Sequence, residues 1–281
     1  MILTDRFVYV HEPKTGGTFV RAVLSRLHGC SAEPDAPRES WTAAMRSLLL
    51  RPLRLFDAAG TSARGGRRSR YGPLIRWGNK HGTCSDIPEP HCDKPILATV
   101  RNPYDLYVSA FEFGWWKKEE CRDDFRDLPG FNSTYSHFPD LTFEEYVRFL
   151  NFDHDARADG TVPIAVGPFS KRFGKYYCRN PDDAVRELDV GRIAAERYRH
   201  DLFDVRFVAT DRLNEDLPRF LVAMEYAEED VRFIRELNKI RPPRSRRRHK
   251  QQWDDYYTSE LKGLVRERER MLFTMFPQFD L

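Results

Sequence analysis

The chain predicts an α/β fold, a parallel sheet covered by helices on both faces, and three observations predict it. Short apolar runs at 7–10 (FVYV), Ile96–Val100 (ILATV) and Val205–Ala209 (VRFVA) have the length and the β-branched or aromatic content of interior strands. Each is followed by a turn, and beyond the turn apolar residues recur at helical spacing. Repeated strand–turn–helix units imply parallel pairing, because parallel neighbours need a crossover and a helix supplies it. In such sheets ligands bind outside the carboxyl ends of the strands, so the turns are where function is sought.

The first turn reads HEPKTGGT, residues 11–18. After it Phe19, Val20, Val23, Leu24 and Leu27 mark a helix. A strand turning directly into a helix aims the open N–H groups of the first helical turn, and the positive end of the helix dipole, at the loop. An anion is stabilised there. Gly16 and Gly17 permit positive φ and close backbone approach, Thr15 and Thr18 can donate hydroxyls, and Lys14 adds a mobile charge. The lysine precedes both glycines, whereas a nucleoside-triphosphatase loop, GxxxxGK[ST], places it after them.

The second turn follows Val100. Asn102 and Pro103 form an N-cap with proline at the first helical position, and Leu106, Tyr107, Val108, Ala110, Phe111 and Phe113 make the next helix apolar on most sides, hence largely buried. Arg101 leaves the strand end, where a guanidinium can contact a phosphate in two-pronged fashion. Ser109 sits within the helix. Between the two turns lies GNKHGTCSDIP, residues 78–88, with His81 in a glycine-flanked loop.

Strand plus PKTGGT, then RNPYDLYVSAF, resembles the sulfotransferases that use 3′-phosphoadenosine-5′-phosphosulfate (PAPS), specifically the carbohydrate group that includes heparan 2-O-sulfotransferases. That resemblance implies a fold like the P-loop nucleotide kinases. It implies that Lys14, Thr15, Gly16, Gly17 and Thr18 hold the 5′-phosphosulfate, with Lys14 also catalytic, and that Arg101 and Ser109 hold the 3′-phosphate. Leu106 stands where the family usually has a second arginine, which weakens an outer contact. The segment around His81 is similar to the family's KHxT stretch and makes His81 the candidate base, for which an imidazole with a pKa of ~6.5 is suited. His11, beside the loop, is the reserve. The implied cofactor is PAPS, with 3′-phosphoadenosine-5′-phosphate (PAP) as product and no metal, and the implied acceptor is a hydroxyl, by subgroup a saccharide. The tyrosines at 256 and 257 with the following charged helix and FPQFDL also resemble the tail of bacterial members.

The 281 residues can form one large α/β domain or two small ones; we expect a single domain, 1–281, with insertions at roughly 31–80 and 114–160. Apolar residues make up 41% of the chain, enough for a core, yet no run approaches the ~20 residues of a membrane span. The chain enters a core strand within ten residues, unlike a signal peptide, and a cytoplasmic enzyme is expected. Five cysteines, at 30, 84, 92, 121 and 178, lack paired CxxC spacing, so neither a disulfide framework nor a zinc site is indicated. Net charge is only +3, which argues against a nucleic-acid partner. Two basic runs, Arg64, Arg67, Arg68 and Arg70, and then Arg241, Arg244, Arg246, Arg247, Arg248 and Lys250, are either solvated loops or help hold polyanions. In the resembling family a loop near the second position closes over the nucleotide.

Further helices are expected over 38–59 up to Pro52, 141–150, 181–196, 213–226 and 260–276, and loops over 60–80 and 114–140. Two other classes compete. An ATP- or GTP-dependent kinase could use Asp211, at the end of the third strand, for Mg²⁺, and a non-catalytic polyanion-binding protein could use the arginine runs.

Overall fold

A computed structural model describes residues 1–30, 69–118, 131–153, 166–181, 191, 193, 195–237 and 252–280. In chain order the principal elements are β1 (Ile2–Leu3), β2 (Val8–Val10), α1 (Gly17–Leu27), β3 (Ile75–Arg76), β4 (Ile96–Val100), α2 (Pro103–Phe113), α3 (Phe143–Arg148), α4 (Pro168–Tyr177), β5 (Val205–Ala209), α5 (Leu213–Ala223), α6 (Ser259–Arg268) and α7 (Arg270–Met275). They fall into two compact units. The first holds the described residues up to Arg101 and from Phe203 to 237; the second holds those of 102–202 and 252–280.

The first unit is built on a five-stranded sheet of order β3-β1-β2-β4-β5. The three strands read from the sequence, β2, β4 and β5, pair in parallel, with Tyr9 opposite Leu97 and Thr99 opposite Val208. The expectation of a wholly parallel sheet is corrected at one edge, where β1 runs antiparallel to β2 and β3 antiparallel to β1, so the sheet is mixed. The reason is local. Thr4 closes a tight turn, its hydroxyl donating to the Phe7 carbonyl at 2.7 Å and accepting from the Phe7 N–H at 2.9 Å, and a turn that short can join only antiparallel strands. Two-residue strands carry no legible alternation, and β3 lies inside the segment expected to be a loop.

One face of this sheet is covered by α1 and α5. Phe7, Tyr9, Leu97 and Val208 meet Phe19, Val20, Val23 and Leu24 of α1 and Leu213, Leu217 and Leu221 of α5 in one cluster. The residues pointing the other way, Val8, Val10, Ala98 and Val100, are buried as well. Leu217 is fully buried, so Leu217→Ala carries the usual core cost of about 2–5 kcal/mol. α5 stops at Ala223, short of the expected Tyr226, because Glu225 takes a left-handed φ of 61°.

The second unit, among its described residues, is helical. Asn102 caps α2 as expected, its side chain accepting from the Tyr104 N–H at 2.9 Å. Leu106, Tyr107, Val108 and Ala110 are buried, while Phe113 is exposed. α3 begins with a capping box between Thr142 and Glu145. The expected helix over 260–276 is two helices, because the chain turns at Glu269 between α6 and α7. Most of the helix expected over 181–196 lies outside the described residues, as do all of 38–59, Arg64, Arg67, Arg68, Cys121 and 241–250. No helix among the described residues is long and apolar enough to cross a membrane.

Candidate functional site

The carboxyl ends of β2, β4 and β5 converge on the first turn. From β2 the chain runs through His11, Glu12 and Pro13 into Lys14, which has a φ of 69°, then Thr15, and then Gly16, whose φ of 92° makes it the left-handed N-cap of α1. No side chain caps α1, and its first turn carries no acidic residue. The loop positions alternate: Lys14, Gly16 and Thr18 are half-buried, whereas Pro13, Thr15 and Gly17 are buried. An anion approaching the loop therefore meets the first set. The uncapped helix start and the left-handed Gly16 suit an anion.

Two polar residues at strand ends, neither identified from the sequence, weld this loop to the sheet. Thr99 of β4 lies 2.8 Å from the Thr15 hydroxyl and 3.2 Å from the Tyr9 hydroxyl. Thr15 itself donates to the Glu12 carbonyl at 2.8 Å and is 1% exposed. Its hydroxyl faces the core, so only its backbone can serve an anion in the loop. Beyond β5 the Thr210 hydroxyl reaches the carbonyls of Val100, at 2.8 Å, and Thr15, at 3.1 Å. The signal is present in both cases: a threonine ending or nearly ending an apolar run.

Arg101 and Lys14 are brought together. The Arg101 guanidinium donates through Nη1 to the Lys14 carbonyl at 3.0 Å, which ties the end of β4 to the loop after β2 and helps hold Lys14 in its left-handed conformation. Ser109 is half-buried on α2, in the second unit. Asp211 is exposed just after β5.

The glycines have different duties. Gly16 needs its positive φ, and a Cβ there would also come within 2.9 Å of Leu213 on α5. Gly17 is the first residue of α1, and a Cβ there would come within 1.9 Å of the His11 ring at Nε2. So Gly17 makes room for a side chain of its own protein, where the sequence suggests room for a ligand.

His11 and His81 form a buried pair, each 5% exposed, with ring centroids 4.7 Å apart. His81 Nδ1 is 3.1 Å from the His11 carbonyl. A carbonyl can only accept, so Nδ1 carries the hydrogen, and in the neutral ring Nε2 carries the lone pair. The backbone N–H of His81 donates to Asn79 Oδ1 at 2.9 Å, which fixes the loop that bears it. Burial first, and then the neighbouring His81, hold the His11 imidazole well below its ordinary range, so it stays neutral near pH 7. His11 Nδ1 has no hydrogen-bond partner among the described residues. By contrast His28 has both nitrogens engaged, Nδ1 with the Gly72 carbonyl at 3.0 Å and Nε2 with the Tyr226 hydroxyl at 2.8 Å.

No group of three histidine, cysteine, aspartate or glutamate side chains disposed to hold a metal ion occurs among the described residues. Comparison of the chain with protein-family profiles, with curated proteins and with solved structures finds no match in any of the three.

Proposed function

We propose that the protein is a sulfotransferase moving a sulfuryl group from PAPS to a hydroxyl, in first place that of a saccharide, on a frame related to the P-loop nucleotide kinases and in the cytoplasm. One observation supports this reading above the others. The Arg101 guanidinium bonds the Lys14 carbonyl at 3.0 Å, so the two turns assigned to the two ends of one nucleotide lie side by side at the ends of neighbouring parallel strands.

PAPS supplies the sulfuryl group already joined to a phosphate that leaves readily. The chain's own residues then have separable duties. Lys14 and the amides at the start of α1 would stabilise the charge that grows on the leaving phosphate, and Arg101 would hold the ribose phosphate, a duty the resemblance also gives Ser109. His81 would accept the acceptor's proton on Nε2 as the acceptor oxygen bonds sulfur and the sulfur–phosphate oxygen bond breaks. By analogy with phosphoryl transfer, most of the catalysis lies in positioning and in charge stabilisation. No metal enters this scheme.

Calorimetry with PAP in the absence of magnesium, followed by transfer from radiolabelled PAPS to saccharide pools, tests the reading. PAP should bind and label should move to a saccharide. Binding of ATP with magnesium but not of PAP would overturn it in favour of a kinase.

A further inference from the structure

We propose that His11 is a positioning residue that sets the anion loop and the candidate base together, its ring wedging the entry to α1 at Gly17 and its carbonyl orienting His81. The inference deepens the sulfuryl-transfer reading, on which it rests only for naming His81 the base.

Gly17 is a helical residue, so no unusual φ demands glycine, and its missing side chain is accounted for by the His11 ring that occupies the space. His11 also accepts the Nδ1–H of His81 on its carbonyl at 3.1 Å, and its ring packs against the His81 ring at a centroid distance of 4.7 Å. Displacing residue 11 therefore disturbs two things at once, the turn that presents the helix N-terminus and the imidazole held through its Nδ1–H. Its ring seated against Gly17, His11 serves as a spacer, and the proton-accepting duty stays with His81, to which the resemblance assigns it. Thr99 and Thr15 hold the loop from the other side through the 2.8 Å hydroxyl pair, so the strain of an ill-fitting residue 17 would fall on His11.

A double-mutant cycle on the full chain tests this. Gly17→Ala should weaken PAP binding by about tenfold or more and lower the melting temperature, because the new methyl group must expel the ring. His11→Ala alone, which keeps the carbonyl but removes the ring that sets the turn and packs on His81, should weaken PAP binding about threefold and lower turnover by at least about tenfold, as expected for lost positioning. Combining them should restore most of the affinity and melting temperature lost in Gly17→Ala without restoring turnover. Additive losses in the double variant would overturn the proposal. So would a His11→Ala enzyme of undiminished turnover. If Gly17→Ala does not fold, recovery of folding in the double variant supports the wedge equally, and its failure to recover counts against it. Nitrogen-detected NMR of imidazole-labelled wild-type protein gives a second reading: His81 should be in the Nδ1–H form, and an Nε2–H ring would overturn the orienting role. Should wild-type protein bind no PAP, the sulfotransferase reading falls, while melting temperatures and the His81 tautomer still decide the wedge.

Discussion

Glu269 in the second unit and His11 in the first are both polar side chains more than nine-tenths buried, and they meet that condition in opposite ways. Glu269 turns inward where the chain breaks between α6 and α7. Its Oε1 accepts from the Tyr107 hydroxyl at 2.7 Å and the Phe169 N–H at 3.1 Å, and its Oε2 from the Ser170 N–H and hydroxyl, both at 2.7 Å. Two of these donors are backbone groups of the first turn of α4, so the carboxylate caps that helix from another element. Gly167, the N-cap, must be glycine, since a Cβ there would crowd the carboxylate of Glu269. His11 also abuts a glycine at a helix start, yet one of its ring nitrogens meets no partner among the described residues. The carboxylate of Glu269 holds its unit together through bonds on both oxygens, whereas the ring of His11 is held by packing against Gly17 and His81.

The largest expected effect bears on the architectural half. Glu269→Ala leaves four donors without their acceptor and should cost about 3–5 kcal/mol in chemical denaturation, on the scale of breaking a buried charged network. A loss below about 1 kcal/mol, the level of an exposed pair, would break the comparison. Next, Lys14→Ala should lower turnover by ~10² to 10³, as removal of a transition-state donor does, while the unfolding midpoint stays put; a fall in stability matching the fall in rate would make Lys14 architectural too. Smaller still, Thr99→Val removes the hydroxyl between Tyr9 and Thr15 and should cost about 1–2 kcal/mol, readable in urea.

The smallest effect is in pH, and the two groups should pull in opposite directions. The His11 pKa is depressed in the folded state, so its contribution to stability is present above the ordinary imidazole value of about 6.5 and is lost as pH falls below it. Unfolding midpoints measured downward from pH 8 should show that loss, and His11→Gln should flatten it. Burial raises the Glu269 carboxyl, against the pull of its donors. The folded state then keeps a proton that the unfolded state releases, and stability falls as pH rises from the usual carboxylate value through the raised one. Glu269→Gln should abolish that slope; a slope unchanged in the variant would assign it elsewhere.

Much of the first unit is legible in the sequence because its signals are short in range. The apolar runs are β2, β4 and β5, the spacing of Phe19, Val20, Val23 and Leu24 is the buried face of α1, and Asn102–Pro103 is a working helix start in the second unit. The candidate site is legible as a set of positions but not as a set of roles. Local chemistry has Thr15 offering its hydroxyl to a ligand, and instead it points into the core, while Thr99 and Thr210 carry a signal of position but not of partner, because a threonine near a strand end looks alike whether it bonds solvent or a loop. Gly17 reads as room for an anion and instead admits His11. The break at Glu269 is invisible because the residues around it, read locally, continue a helix.

From the sequence alone come the α/β class, the three parallel strands, the loop–helix turn at Lys14–Gly16 and the nearness of Arg101 to a strand end. Those depend on neighbours within a few residues, where side-chain period, glycine freedom and capping chemistry act directly. Only the tertiary structure decided the inward turn of Thr15, the orientation of His81 and the capping of α4 by Glu269. The contacts behind them join residues far apart in the chain, 70 positions for His11 and His81, 84 for Thr15 and Thr99, 100 for Phe169 and Glu269. Which partner fills a space or meets a lone pair is settled by close packing and by the cost of leaving a buried polar group unmet, and neither is written in local spacing.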